Sequence, residues 1–275
     1  MPPELSLAAE PAPAAAPARR RPLRWRLPVG LVLPVVVLGA IELAAWLGWS
    51  GSRALPPPSE VLRTLIGLGG QALGLHVLAS TGRVAAGFAL GSGLALAAGS
   101  AVGLSQRISA WLDPSVQGLR AIPSLAWVPL LLLWLGIDEL PKVVLIAIGA
   151  FFPVYLGVAS GFRGVDRKLV EVGRLFGFSP LTLVRRVLLP AALPSVLTGL
   201  RNGLGLAWMF MVAAELIAAS SGLGYLLTDG RETGRADIVL AAIALLALLG
   251  KLSDGAMRAL ERRLLVWRDA FEPGA

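Results

Sequence analysis

Residues 171–190 read EVGRLFGFSPLTLVRRVLLP, a polar stretch set between two long apolar runs. It holds a glutamate, a glycine six residues later, and Val187, Leu189 and Pro190 ten to thirteen residues beyond that glycine. The apolar runs on either side are long enough to cross a bilayer, which takes about 20 residues as helix. A connection of this length between two spans is expected to grip something outside the membrane.

The rest of the chain supports a membrane setting. Of 275 residues, 56% are hydrophobic and only 15% charged, against about 25% charged in a soluble domain. The apolar runs are continuous rather than alternating, which favours helices over a barrel. Six spans are expected, at about 27–49, 80–104, 119–135, 141–161, 191–219 and 238–257, within one transmembrane domain at 23–268. Pro123 and Pro129 interrupt the third span, and Pro153 kinks the fourth. Residues 1–22, rich in Ala and Pro, read as a disordered cytoplasmic tail, and 269–275 as a short C-terminal one. Pro-rich 55–58 leads into a short amphipathic helix with Ser59 as its N-cap.

The net charge of +8 is a matter of topology rather than of nucleic-acid binding. Seventeen of the 25 Lys and Arg residues fall in the N-terminal tail, in loops 107–120 and 163–186, and at the C-terminus. By the positive-inside rule those segments, with both termini and the 162–190 loop, are cytoplasmic. Without cysteine and with His76 alone, the chain has no material for a disulfide framework or a multi-histidine metal site. No G-x-x-x-x-G-K-[ST] phosphate cradle occurs, so any ATP hydrolysis must lie on another chain.

Local signals resolve the loop into two helices. Asp166 caps a helix over about 167–176, which ends at Gly177 in a left-handed conformation. Ser179 caps a second with Pro180 at its first position, running to about Leu189 before Pro190 opens the next span. Leu169, Val170, Gly173 and Phe176 share one apolar face. Arg174, Arg185 and Arg186 lie on polar faces, and Gly173 is expected as a small surface residue that a partner's groove accommodates.

The loop resembles the E-A-A-x(3)-G-x(9)-I-x-L-P signature of permease subunits from binding-protein-dependent ABC importers. Glu171, Gly177, Leu189 and Pro190 match in spacing; Val172 and Gly173 replace the two alanines, and Val187 the isoleucine. Residues 120–137, 149–157, 207–227 and 261–268 resemble the branch associated with nitrate, alkanesulfonate and taurine uptake. The resemblance implies an all-α type I importer fold in a bacterial inner membrane. It also implies a coupling helix, with Glu171, Gly173, Arg174, Gly177 and Pro190 contacting an ATP-binding cassette subunit dimer. Two copies of the chain would line one pathway for a small anion, supplied by a periplasmic or lipid-anchored binding protein. ATP and Mg would reside on the partner ATPase, with no cofactor on this chain.

Other residues invite weighing. Gly87, Gly91, Ala95, Gly99 and Gly103 recur every four residues and form one small-residue ridge, suited either to a sliding contact or to ordinary helix packing. Glu215 lies mid-span, where a carboxylate is costly, and is a pathway or gating candidate. Its plainer role is internal, bonded to serine or backbone groups near the bend at 220–224. Glu42 has no evident partner. His76 is expected at the membrane interface just outside the second span, and Arg201 at the cytoplasmic start of the fifth. An ion-gradient transporter is the alternative function, but it wants internal repeats and acidic relays, and only Glu42 and Glu215 are mid-span acids.

Overall fold

The computed structural model describes residues 29–48 and 55–267, so Trp49 and both tails lie outside the described residues. The described residues are mostly helical, with no strand among them. Four helices are long and apolar enough to cross a membrane: α3 (Gly70–Leu104), α6 (Glu139–Arg163), the run Pro180–Ala218 that contains α9 (Leu189–Ala218), and α11 (Ala236–Leu264). Ahead of them stand α1 (Val29–Trp46) and the short α2 (Pro58–Gly67). Between α3 and α6 lie α4 (Gln106–Ala121) and α5 (Val128–Leu135). The hairpin helices α7 (Arg167–Leu175) and α8 (Pro180–Leu183) precede α9, and α10 (Leu223–Glu232) joins α9 to α11.

The third expected span is the main departure. Residues 106–121 and 124–135 are long and apolar enough for a span only when taken together, and they are bent by 88° at the break. Pro123 is the physical cause, since it disfavours helical backbone at Ile122, which is extended at ψ 125°. The six expected spans thus resolve into four long helices, this bent pair and the shorter α1. The second span also begins ten residues earlier than expected, so His76 lies inside α3 rather than beyond its end. Ser59 does not cap α2. The helix starts at Pro58, favoured at a first position, and the Ser59 N–H is taken by the Glu42 carboxylate of α1 at 3.0 Å.

α6 is the centre of the bundle, with α3 on one side and α9 on the other. The glycine ridge of α3 faces α6 along its whole length. A Cβ at Gly87 would meet Ile146 Cβ at 2.6 Å, one at Gly99 would meet Val158 Cβ at 2.8 Å, and one at Gly103 would meet Phe162 Cβ at 2.6 Å. The ridge is therefore a packing seam within one chain, which lets backbones approach where lipid offers no hydrophobic drive for association. Gly199 and Gly203 play the same part between α9 and α6, against Gly157 and Val154. The buried apolar residues, among them Ile146, Val154, Tyr155, Ala207 and Met211, fill the layers between these three helices.

Candidate functional site: a helical hairpin and a buried polar cluster

The hairpin follows from its local signals. Asp166 accepts a hydrogen bond from Lys168 N at 2.9 Å and caps α7. At the other end, Gly177 N donates to Arg174 O (2.9 Å) and Phe178 N to Gly173 O (3.1 Å), the pair of bonds that closes a Schellman turn. That turn needs a left-handed residue, and Gly177 supplies it at φ +69°. Ser179 Oγ accepts from Thr182 N at the start of α8.

Two expectations fail here. Gly173 is buried rather than on the surface; a Cβ on it would touch Leu183 at 2.6 Å, so its smallness lets the two arms of the hairpin close on each other. The second helix does not stop before Pro190 either. Helix continues from Pro180 to Ala218 through a π turn at Val184–Leu188. Pro190 lacks the N–H that a regular helix would use and its ring crowds the carbonyl four residues back, and the widened turn directly precedes it.

What the hairpin presents outward is apolar and basic. Leu175 is 86% and Phe176 76% exposed, with Leu169, Val172 and Leu181 also open. Glu171 accepts from Arg167 Nε at 2.9 Å along the same helix, and Arg174 has no ion pair among the described residues. Leu169, Phe176, Val187, Pro190 and, from the chain's C-terminal end, Trp267 surround a groove of about 430 Å³. Of the coupling candidates, Glu171 and Arg174 are thus surface groups, Gly173 and Gly177 shape the hairpin, and Pro190 lies where it joins α9.

Glu215 sits at the opposite end of the bundle and is 1% exposed. Its carboxylate accepts from Ser80 Oγ (2.8 and 2.9 Å), Arg83 Nη1 (2.6 Å) and Gly224 N (2.7 Å). Arg83 also forks onto Glu139 (Nε 2.5 Å, Nη2 2.7 Å) and donates to Ser221 O at 2.6 Å, while Lys142 Nζ meets Glu139 at 2.9 Å. Two cations and two carboxylates balance, and Ser80 Oγ in turn accepts from Leu223 N. His76 Nδ1 accepts from Gly222 N at 3.0 Å, and its ring stacks on Tyr225. The plainer role for Glu215 is the one the geometry supports. It ties α3, α6 and the α9–α10 link together, with every carboxylate contact made inside the protein.

Sequence reading missed Ser80 and Arg83 as its partners, and Glu139 and Lys142 behind Arg83. It also missed the Tyr155 hydroxyl donating to Asp113 Oδ1 (2.8 Å), with Arg163 on the same carboxylate at 3.2 Å. Only the mid-span placement of Glu215 and the position of Arg83 at a span end signalled any of this.

A bundle of long apolar helices with one capped hairpin projecting from it defines a polytopic helical membrane protein. Residues 89–266 match the family of the binding-protein-dependent transport system inner membrane component. A putative aliphatic sulfonates transport permease of Bacillus subtilis is 45% identical over 245 residues, covering 88% of each chain. A taurine transport system permease of Escherichia coli is 36% identical, covering 90% of this chain and 94% of that one. Among solved structures, an inward-facing methionine ABC transporter aligns with a TM-score of 0.63 at 21% identity, over 71% of this chain and 97% of that one, and shows the shared fold. The chain belongs to the binding-protein-dependent ABC importer permeases, in the nitrate, sulfonate and taurine branch. It is a multi-pass transmembrane transport subunit.

Proposed function

We propose that this chain imports a small organic sulfonate by alternating access, as one of two identical permease subunits in an inner membrane with both termini cytoplasmic. An ATPase dimer holding ATP and Mg docks on the 162–190 hairpin, and a binding protein delivers solute to the opposite face. The observation that carries the reading is the outward apolar end of the hairpin, Leu175 and Phe176, with Arg174 adjoining them in the chain and Arg186 lining the same groove as Phe176. Two large apolar side chains so exposed beside these cations suit a protein cleft better than water or lipid headgroups. The identity of the solute is supported by the sulfonate and taurine permeases above.

The test is co-purification and uptake in proteoliposomes that contain the chain, its ATPase and its binding protein, with ethanesulfonate as solute. Phe176→Asp and Leu175→Asp change exposed side chains, so the bundle should assemble normally while ATPase association and uptake fall at least tenfold. Wild-type association and uptake in both variants would refute the docking role.

A further inference from the structure

One face of α9 is left uncovered. Thr198, Asn202, Gly205, Leu206 and Met209 follow at three- and four-residue steps and are exposed, while Gly199 and Gly203 are buried against α6. Beside this face an open cavity of about 690 Å³ is lined by Thr198, Arg201, Asn202, Gly205, Leu206 and Asp254. Arg201 meets Asp254 through Nε at 2.5 Å and Nη2 at 3.3 Å, and Arg258 reaches the same carboxylate at 3.1 Å. Two guanidinium groups share this carboxylate, and the Glu261 carboxylate also acts on Arg201, so among the described residues Arg201 is the one cation lining the cavity, with part of its guanidinium left over by Asp254. Arg201 Nη1 and the Asn202 amide have no protein partner among the described residues and remain available as donors.

The position argues against simple exposure to lipid. Arg201 is not at the start of its span as expected but about 18 Å along α9 from Leu189, at 1.5 Å per residue. An Arg or Asp facing hydrocarbon near mid-span costs about 2.5–3.5 kcal/mol on insertion scales, and such groups face a water-filled route or the bundle interior instead. A guanidinium with a free edge, next to an amide and a hydroxyl, is suited to the oxygens of an oxyanion.

We propose that this cavity is an oxyanion-binding station on the solute route, on the hairpin side of the bundle. Arg201 and Asn202 hold the anionic headgroup, and Asp254 orients the guanidinium and weakens its grip so that the anion leaves. The station rests on the importer reading above, and the second copy of the chain contributes the facing wall.

The test uses the purified permease–ATPase complex without binding protein and measures equilibrium binding of labelled ethanesulfonate, alongside uptake by the complete system. Arg201→Gln should weaken binding at least tenfold, and Arg201→Lys should recover part of it. Asp254→Asn should bind about tenfold more tightly yet turn over more slowly. Were the ion pair only a brace between α9 and α11, both neutral variants would lose thermal stability and uptake alike and neither would alter affinity selectively; that result overturns the proposal. So does wild-type affinity in Arg201→Gln, or uptake by a wild-type complex that shows no ethanesulfonate binding. A wild-type system that carries no sulfonate at all overturns the substrate reading itself, and the station with it.

Discussion

Replacing Gly91 by alanine should destabilise the bundle, whereas the same change two residues away at Gly93 should not. Both glycines lie inside α3, where alanine gains about 1 kcal/mol in helix propensity. Gly93 has nothing within 4 Å of a new Cβ, so the propensity gain stands alone there. At Gly91 the Cβ would fall onto the Ala147 carbonyl oxygen, with Ala147 Cα at 2.9 Å and its carbonyl carbon at 3.0 Å. These are backbone atoms of α6 and cannot rotate aside, so α3 and α6 must part by about 0.5–1 Å to restore ordinary contact. Overpacking of this kind costs about 1–3 kcal/mol, leaving Gly91→Ala about 1–3 kcal/mol less stable than Gly93→Ala. At about 2–4 °C per kcal/mol for a chain of this size, the two thermal midpoints in detergent should differ by about 2–12 °C. Scans at one fixed rate are needed, because membrane-protein unfolding is commonly irreversible. A Gly91→Ala midpoint equal to or above that of Gly93→Ala would refute the seam.

Glu215→Ala should cost about 3–5 kcal/mol, because it leaves Arg83 and the Ser80–Gly224 donors buried without their shared acceptor; wild-type stability in detergent would show that the cluster is dispensable. Gly177→Val should strain the φ +69° turn by about 1–2 kcal/mol and speed proteolysis within 167–190, with the long helices intact. Unaltered proteolysis and ATPase association would mean that the turn tolerates another geometry. Tyr155→Phe removes the hydroxyl that donates to Asp113 and should lower stability by about 1.5–3 kcal/mol, the range for hydrogen bonds to charged groups; a change below 0.5 kcal/mol in a denaturant titration would place that bond outside the fold's stability.

What could be read before the structure was local in origin. Asp166, Gly177 and Ser179 act on backbone groups within five residues, so the hairpin's caps and its left-handed turn follow from sequence order alone. The four-residue ridge of α3 is equally legible, since helical periodicity places Gly87 through Gly103 on one face whatever lies opposite. The identity of the opposing helix is not local, and nothing near Gly91 names Ala147. The same holds for Glu215, whose partners Arg83 and Ser80 lie more than 130 residues away. Gly173 misled for a related reason: a small residue on a helix face reads alike whether a partner's groove or the chain's own Leu183 fills the space. Pro190 misled because the usual rule ends a helix before proline, while a π turn of one extra residue lets it run on.

The seam also limits how the bundle can move. Sliding α3 along α6 would press the ridge against what now fills the space at each glycine, the Ala147 backbone at Gly91 and the Ile146, Val158 and Phe162 side chains at Gly87, Gly99 and Gly103. Four simultaneous overpacked contacts cost far more than one, so the ridge disfavours sliding rather than permitting it. α9 is held on the other side of α6 by the same means, through Gly157, Gly199 and Gly203. At the end remote from the hairpin, Arg83, Glu139 and Glu215 fasten these three helices to each other a second time. A push on the hairpin, which is continuous with α9 and joined to the end of α6 by three residues, would therefore turn α3, α6 and α9 as one body. The places left to yield are those where regular helix is broken: the 88° bend between α4 and α5, the π turn before Pro190, and the non-helical Ala219–Gly222 link. Changes that stiffen those breaks should impair transport more than changes of equal size within the seam's already rigid interior, where stability rather than movement is at stake.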